Sequence, residues 1–508
     1  MASRRDQLNA YTFAKRRMLA AFLQSSPDGS EEGAPRPLRA VIPGAIVGVV
    51  VMAVFGAWGM FKPTAPKGWD EPNAKVIVAS DSTTRYVVLK TGKQVQLHPV
   101  LNMASAKLLL DEGQGDVVTV AESVLDNGRI PHGATIGIPY APDRLPSASE
   151  AGGEKRWAVC ERPSAGGESI QKAALVLASR DVKATEGKGE KLTGGQLLYV
   201  VGPDGKHYVV DASGRSYPID KSDELLLRAV VGSGRKPQKV SGEWLETLHT
   251  GDPISFPKIP DRIGAAADAP GQLDDKTDKV GMVLKASDLN SDQYYVVLPG
   301  RVAPVSAFVA QLLLFSEDLA ALGQAGAAKD MSPGAIVPGE PFGTEHRWPT
   351  RDPQPVNDAS GTAGGRGTVC NVLRGVDAGS GATTLSTWAG TDFPAKLPTG
   401  SSSAYVTPGS GQLYRQFQGR ETKAGPVFLV TDTGLRYVLQ SNADSGADDA
   451  GIGTTAKGRR QAQQEAQQAQ TRLGYKDVEP APIPAAWSEF LPTGPRLSTT
   501  AARQPQGS

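Results

Sequence analysis

The sequence predicts an α+β protein in which a single N-terminal transmembrane helix leads into an elongated extracytoplasmic body of four small α/β repeats around a central β-rich domain. Three observations predict this: a long apolar run without charge, four similar strand–glycine–strand segments, and two cysteines at matching places between those segments. The 508 residues include 58 glycines and 38 prolines, so many turns and more than one core are expected. The net charge of +1 gives no reason to expect a nucleic-acid partner.

Residues 1–40 are predicted to contain a cytosolic basic amphipathic helix. Apolar side chains recur there at helical spacing, with basic side chains around them. The predicted contact residues are Arg4, Arg5, Leu8, Tyr11, Lys15, Arg16, Arg17, Met18 and Phe22. A helix of this kind either lies on anionic membrane lipid or docks on a partner protein, and the residues alone leave both alternatives open.

Residues 41–61 carry no charged side chain and are predicted to cross the membrane once. A bilayer core of roughly 30 Å needs about 20 helical residues, which this run supplies. The basic residues before it predict a cytoplasmic N-terminus and an extracytoplasmic body. The alternatives are a cleaved signal peptide, against which the long preceding segment 1–40 argues, and a buried core helix, against which the length of the uncharged run argues.

Four β-rich segments share one design and define the predicted repeats. They are residues 85–97, 207–219, 294–305 and 427–439, and each turns at a glycine: Gly92, Gly214, Gly300 or Gly434. Glycine supplies the positive φ that tight hairpin turns require. The predicted repeats are therefore residues 70–145, 195–262, 280–344 and 425–498.

The residues after the hairpins also recur. Apolar stretches at 102–110, 223–231 and 306–315 predict helices packed on the small sheets. A closing segment with Gly133, Gly251 or Gly494 is expected in the first, second and fourth repeats, and the third is expected to close differently. Residues 441–470 look like a polar insertion whose Gln/Ala-rich second half suits a helix, and residues 499–508 are predicted to be a disordered tail.

Cys160 and Cys370 are the only cysteines and lie in strand-like runs. In an oxidising compartment such a minimal, even count predicts one disulfide, with two buried free thiols as the alternative. The bridge would join two pieces of a central β-rich domain, residues 150–194 and 345–424.

Catalytic motifs are missing from the sequence. It has no GxxxxGK[ST] phosphate loop, no GxSxG serine elbow and no HExxH zinc motif. The nearest Gly-Lys/Arg runs are LKTGKQ, residues 89–94, and VGSGRKP, residues 231–237. No catalytic, cofactor-binding or metal-binding residue is predicted. Binding of cell-wall glycan by the repeated units is an alternative function.

Several segments together resemble one family. RRDQLNAYTFAKRRMLAAFL, LHPVLNMASAKLLL, IGIPYAPDRLP, the WAVC and TVCNV cysteine contexts and VTDTGLRYVL resemble, in this order, the EccB family of the actinobacterial type VII (ESX) secretion system. The resemblance spans nearly the whole chain, and the 441–470 insertion and the tail depart from it.

The resemblance implies a structural, single-pass cell-membrane subunit of a protein secretion machine. Its expected neighbours are an FtsK/SpoIIIE-type ATPase, a multi-pass channel protein and a further membrane subunit, within an oligomeric assembly. It also favours docking of the amphipathic helix in residues 1–40 on a protein neighbour over binding of that helix to lipid. Because the family is sometimes described as ATPases, ATP binding and hydrolysis is the other alternative function.

Overall fold

The computed structural model describes residues 3–23, 38–60, 65–164, 169–187, 189–288, 291–357, 359, 365–397, 403–439 and 456–506. These residues divide into two compact units, Met1–Lys67 and Gly68–Ser508. The first unit contains two helices, and the second contains five sheets with short helices between their strands.

The two α-helices of the first unit are long, and those of the second unit are short except for α9, which has 17 residues. They are α1 (Arg4–Leu23), α2 (Leu38–Met60), α3 (Met103–Leu109), α4 (Glu122–Leu125), α5 (Ala148–Gly152), α6 (Glu224–Val230), α7 (Gly242–Glu246), α8 (Ala307–Phe315), α9 (Ala456–Arg472), α10 (Ala485–Ser488) and α11 (Thr499–Ala502). The helices predicted over 102–110, 223–231 and 306–315 are confirmed as α3, α6 and α8. Each begins after a polar residue, Asn102, Asp223 or Ser306, whose side chain accepts a hydrogen bond from the helix amide three residues on.

The strands of the second unit are mostly five to eight residues long. They are β1 (Lys75–Ala79), β2 (Arg85–Thr91), β3 (Gln94–Val100), β4 (Asp116–Val120), β5 (Arg156–Pro163), β6 (Ile170–Leu177), β7 (Gln196–Val201), β8 (His207–Asp211), β9 (Arg215–Ile219), β10 (Gln238–Lys239), β11 (His249–Thr250), β12 (Val283–Asp288), β13 (Ser291–Leu298), β14 (Arg301–Val305), β15 (Lys329–Met331), β16 (Gln354–Pro355), β17 (Thr368–Val376), β18 (Thr383–Gly390), β19 (Ala404–Val406), β20 (Gly411–Phe417), β21 (Val427–Thr431), β22 (Arg436–Val438) and β23 (Ala481–Pro484).

Four small sheets share one strand order. In each, three consecutive strands form an antiparallel meander, and a later strand lies parallel to the first of them. We call them sheet 1 (β1–β4), sheet 2 (β7–β10, with β11 and β16 added), sheet 3 (β12–β15) and sheet 4 (β20–β23). The fifth is the central sheet, with the order β18-β17-β5-β6-β19.

A glycine segment runs along the third strand of each small sheet and closes it. The backbone N–H of that glycine donates to a strand carbonyl in all four: Gly133 to Leu97 at 2.9 Å, Gly251 to Ser216 at 2.7 Å, Gly339 to Val302 at 2.8 Å and Gly494 to Arg436 at 2.8 Å. The expectation that the third repeat closes differently is therefore wrong. Its closing segment follows a 3-10 turn at Pro333–Ala335 in place of an α-helix, which hides the shared backbone pairing in the sequence.

The predicted boundary between the central domain and the fourth repeat also needs correction. β20 lies inside the predicted central piece 345–424, yet it pairs with β21 and is the first strand of the sheet 4 meander. Nearly every residue of β20 is buried, so its sequence lacks the alternation that marks a one-sided strand. The short strand β16, also from that piece, pairs with β7 of sheet 2.

The tail prediction is wrong for residues 499–506. Ser498 caps α11, Ala502 is fully buried, and Gln506 Nε2 donates to Gly137 O at 2.8 Å. These contacts hold the C-terminal segment against sheet 1. The Gln/Ala-rich half of the predicted insertion forms α9, whereas residues 440–455 lie outside the described residues.

Sheets 1 and 4 share a core, although they lie at opposite ends of the second unit's sequence. Side chains of β1 and α3 pack in one cluster with side chains of β20, β21, α9 and α11. Arg472 Nη1 donates to Leu110 O at 2.5 Å and to Leu108 O at 3.2 Å, so the end of α9 satisfies carbonyl groups at the end of α3. Sheets 2 and 3 share a second core through α6 and α8.

Candidate functional site

The residues of segment 1–40 that are predicted to contact lipid or a partner protein all lie on α1. The apolar ones among them are exposed. Leu8, Tyr11 and Met18 are each about 70% exposed, and Phe22 is 94% exposed. Successive residues of an α-helix are rotated by about 100°, which places these four within one face of roughly 80°. The same rotation puts Arg4 and Lys15 inside that face, so the basic residues do not merely flank it.

Two exposed apolar side chains of α1 were not among the predicted contact residues. Leu19 and Phe13 are both more than half exposed. Leu19 extends the predicted face, since it follows Leu8 by three helical turns and precedes Phe22 by three residues. Helical spacing alone was enough to find it. Phe13 lies on the opposite side of the helix, where no spacing rule connects it to the others.

The helix α2 covers nearly all of the predicted span and includes Pro43 in its early turns. Its described side chains are those of residues 41–56, and all of them are exposed. Gly44 and Gly48 have open space where a side chain would be. Within the described part of the chain, no helix reaches both the length and the apolar character that a membrane crossing requires.

The predicted disulfide between Cys160 and Cys370 is present in the central sheet. The two residues face each other across the antiparallel pair β5–β17, and both are fully buried. The bond joins positions 210 residues apart. It therefore links β5 and β17, one of the two strand pairs through which the separated pieces of the central sheet meet; the other is β6 with β19.

The four turn glycines all have positive φ, at 65°, 77°, 70° and 79° for Gly92, Gly214, Gly300 and Gly434. Gly92 and Gly300 face open space, whereas a methyl group on Gly214 would lie 2.7 Å from Leu385 Cβ. The turn at Gly214 thus rests directly on the central sheet. Thr387 of β18 fixes it there, because its Oγ1 donates to Asp211 O at 2.6 Å.

A buried carboxylate joins the central sheet to sheet 2. Glu161 is fully buried next to Cys160, and its Oε1 and Oε2 accept hydrogen bonds from Ser241 Oγ at 2.5 Å and Ser241 N at 2.8 Å. Burial raises the pKa of Glu161 above its ordinary value, and the two hydrogen bonds from Ser241 oppose that rise. Sequence reasoning missed this pair because the partners are 80 positions apart.

Glu161→Gln is expected to remove a pH-dependent part of the stability. Because the folded state raises the Glu161 pKa, its contribution is full below the ordinary glutamate pKa of about 4.3 and is lost as the pH rises through the folded value. The free energy of unfolding of the wild type relative to the variant should therefore fall as the pH rises. Urea unfolding followed by tryptophan fluorescence across this range measures it.

Glu243→Gln is the matched control, because Glu243 lies in the first turn of α7, the helix that Ser241 caps. Hydrogen bonds to its carboxylate lower the pKa of Glu243. The largest effect comes from its own backbone N–H, and the next from the side chain of Lys172. A lowered pKa gives stability that is lost as the pH falls, so this variant should show the opposite trend. Equal pH dependence in the wild type and Glu161→Gln would contradict the prediction.

The two Gly-Lys/Arg runs do not have the geometry of a phosphate loop. In such a loop the glycine-rich segment leads into the N-terminus of a helix. Here residues 89–94 turn from β2 into β3, and residues 231–237 lead from α6 to β10. Among the described residues, no group of three or more His, Cys, Asp or Glu side chains could hold a metal ion.

The fold and these surfaces describe a modular α/β scaffold preceded by helices with exposed apolar side chains. A family model described as "Type VII secretion system ESX-1, transport TM domain B" matches residues 1–507. The chain therefore belongs to the EccB family of type VII secretion.

Known relatives agree with that family. The chain is 27% identical over 309 residues to the ESX-1 secretion system ATPase EccB1 of Mycolicibacterium smegmatis, with 60% of each chain covered. It is 26% identical over 530 aligned positions to the ESX-3 secretion system ATPase EccB3 of Mycobacterium tuberculosis, with 97% of this chain and 88% of the relative covered. The match thus spans about 60% of the length of the EccB1 relative and most of EccB3.

Two solved structures have a similar fold. One belongs to an intact ESX-5 inner membrane complex, with a TM-score of 0.54, 20% identity, and 100% of this chain and 96% of that chain covered. The other is an EccB3 dimer from the ESX-3 core complex, with a TM-score of 0.54, 23% identity, and 84% and 99% covered. The fold is therefore one found in components of ESX inner membrane complexes.

Proposed function

We propose that the chain is a structural, single-pass membrane subunit that links the cytosolic and extracytoplasmic parts of a type VII secretion complex. The observation that carries this proposal is the family match over residues 1–507, which includes the head, the apolar run and the body. In this proposal α1 lies on the cytoplasmic side, the uncharged residues 41–61 cross the bilayer, and the second unit lies outside. The basic residues before the run and the disulfide after it both support that orientation.

The four small sheets are, in this proposal, repeats of one structural unit. Their shared strand order, the positive φ of their turn glycines and the common closing glycine segment support it. The central sheet connects them, and its disulfide stabilises the connection. A body built this way suits a scaffold, because the sheets bury their apolar side chains against one another and are therefore held in a fixed arrangement.

The head helix α1 is proposed to dock on a protein neighbour of the complex. A soluble helix normally buries its apolar stripe. The stripe of α1, formed by Leu8, Tyr11, Met18 and Phe22, is exposed in its own unit. The family resemblance suggests the FtsK/SpoIIIE-type ATPase, the multi-pass channel protein or a further membrane subunit as neighbours. The basic side chains within and beside the stripe favour an acidic docking surface.

Reversing the charge of Arg16 and Arg17 to glutamate is expected to reduce recovery of the other membrane subunits with this chain. The double substitution makes the charge of α1 more negative by four units, which weakens its attraction to an acidic partner surface. Native membranes extracted in mild detergent, affinity purification of the chain and quantification of the neighbours measure the loss.

The matched control reverses Arg420 and Lys423, two exposed basic residues of the second unit, with the same change in net charge. We expect this control to keep both copurification and secretion. Unchanged copurification and secretion with the reversed Arg16 and Arg17 would contradict docking through α1. Failure of the wild-type chain to copurify with any type VII subunit would contradict the proposed function itself.

A further inference from the structure

A short segment connects the proposed membrane crossing to sheet 1. The uncharged run ends at residue 61, and Trp69 is the first buried residue of the second unit among those that the structure describes. Eight residue steps separate these two positions. Because an extended chain spans at most about 3.6 Å per residue, Trp69 lies within about 29 Å of the end of the run.

The connecting segment reaches sheet 1 at the end that carries the β2–β3 turn. Asn73 N donates to Val88 O at 2.8 Å, so the residues before β1 lie beside the last part of β2. β1 and β2 are antiparallel, and β1 therefore begins at the end of the sheet where β2 finishes. The entry of the chain and the turn at Gly92 consequently lie at the same end of sheet 1.

The corresponding turns of the four small sheets differ in their exposure. Gly214 and Gly434 are buried, so the turns of sheets 2 and 4 pack against the rest of the second unit. Gly92 and Gly300 are exposed, and a methyl group on either one would meet nothing within 4 Å. The turns of sheets 1 and 3 are therefore open to an external contact.

The two open turns differ in charge. In sheet 1 Lys90 and Lys93 are both exposed, and neither forms an ion pair within the part of the chain that the structure describes. In sheet 3 the turn has the uncharged Pro299 and the half-buried Arg301. The open turn with two exposed cations is thus the one that a short segment joins to the proposed crossing.

Acidic residues lie at the opposite edge of the same end. Asp111, Glu112 and Asp116 are exposed and lie between α3 and β4 or at the start of β4. In the strand order β3-β2-β1-β4, two strand spacings separate β4 from β2, which is about 10 Å. The Debye length is roughly 8 Å at physiological ionic strength. The acidic edge therefore leaves the lysines largely uncompensated, and this end of sheet 1 has a basic side and an acidic side.

We propose that the β2–β3 turn of sheet 1 contacts anionic phospholipid headgroups on the extracytoplasmic surface of the membrane through Lys90 and Lys93. The inference rests on the proposed function, because it requires residues 41–61 to cross the bilayer. An anionic lipid surface attracts lysine side chains that lie close to it, and the short segment keeps them close. The same surface repels the acidic edge, so both sides favour one orientation of sheet 1, with β2 and β3 towards the membrane.

Electron paramagnetic resonance of the full-length chain in lipid nanodiscs tests this contact. Both native cysteines are in the disulfide, so an introduced cysteine is the only thiol that a nitroxide can label. Gln94→Cys reports on the turn of sheet 1, and Pro299→Cys reports on the open turn of sheet 3. The nanodiscs contain a nickel-chelating lipid, whose paramagnetic headgroup increases the relaxation rate of a nitroxide close to it. The remaining lipid is phosphatidylcholine, with or without phosphatidylglycerol.

The relaxation enhancement at Gln94→Cys should be at least about twofold larger with phosphatidylglycerol than with phosphatidylcholine alone. Salt at about 0.5 M should remove this difference, because it screens the lysines from the lipid. Pro299→Cys should show no dependence on lipid charge. The comparison separates a headgroup contact from the effect of the short segment alone, which would be the same in both lipids.

Charge reversal identifies the residues responsible. Lys90→Glu together with Lys93→Glu should remove the dependence on phosphatidylglycerol at Gln94→Cys. The matched control is Lys276→Glu together with Lys329→Glu, which changes two exposed lysines outside sheet 1 and alters the net charge equally. This control should keep the dependence. The lipid comparison in the chain with both lysines intact does not depend on how well either double variant folds.

Three results would each overturn the headgroup contact. They are equal enhancement at Gln94→Cys in the two lipids, enhancement there no larger than at Pro299→Cys, and equal loss in both charge-reversed variants. A turn that a copurified subunit immobilises regardless of lipid charge would assign Lys90 and Lys93 to a protein contact and would also overturn it. If the chain still inserts into the nanodiscs and copurifies with the secretion subunits in these cases, the proposed function stands without the contact.

Discussion

Replacing Cys160 and Cys370 together with alanine is expected to lower the free energy of unfolding of the second unit by up to about 5 kcal/mol. The disulfide closes a loop of 210 residues, and the chain-entropy gain grows with loop length. The two strands that it joins are adjacent in the central sheet. In the variant, their pairing has to be maintained without the covalent link. Chemical unfolding of the oxidised wild type and the variant measures the difference.

The single variants Cys160→Ala and Cys370→Ala separate the cross-link from local packing. Each removes the same bond, so each should cost nearly as much as the double variant. Independent packing defects would add instead, because distant or unshared effects sum. A double variant that costs the sum of the singles, or a wild type as stable as the double variant, would contradict the prediction.

Gly214→Ala is expected to destabilise the second unit by about 2–4 kcal/mol. Alanine at positive φ costs roughly 1 kcal/mol, and overpacking a well-packed contact costs about 1–3 kcal/mol more. Gly214 has φ 77°, and an added methyl group would lie 2.7 Å from Leu385 Cβ and 3.1 Å from Asn371 Oδ1. The same unfolding measurement gives the change.

Gly300→Ala is the control for that variant. Gly300 occupies the corresponding turn of sheet 3 with φ 70°, but nothing lies within 4 Å of the added methyl group. It should therefore pay the backbone cost of about 1 kcal/mol alone. Equal destabilisation by the two substitutions would show that the contact between the sheet 2 turn and the central sheet contributes nothing.

Much of the local structure could be predicted because it depends on neighbours in the sequence. The hairpin segments follow from β-rich runs around a glycine, and α3, α6 and α8 follow from apolar stretches after a capping residue. β20 was misassigned because it is buried almost throughout, so its pattern could not show which sheet it joins. The closing glycine Gly339 was missed because a 3-10 turn at Pro333–Ala335 precedes it, whereas an α-helix precedes the closing glycines that were predicted.

The candidate sites likewise include features that could be predicted from the sequence and features that could not. The exposed face of α1 could be predicted from helical spacing, and the disulfide from a count of two cysteines. The contact of Glu161 with Ser241 and that of Arg472 with Leu110 could not, since each joins residues that only the tertiary fold brings together.

The core shared by sheets 1 and 4 constrains the order in which the body can fold during synthesis. The helix α3 follows the first meander, yet it buries apolar side chains against α9 and α11, near the end of the chain. The core of sheet 1 is therefore incomplete, with α3 partly uncovered, until β20 and the segments after it have been synthesised. A chain truncated before β20 lacks α9 and α11, so the apolar side of α3 stays uncovered and is more open to proteolysis.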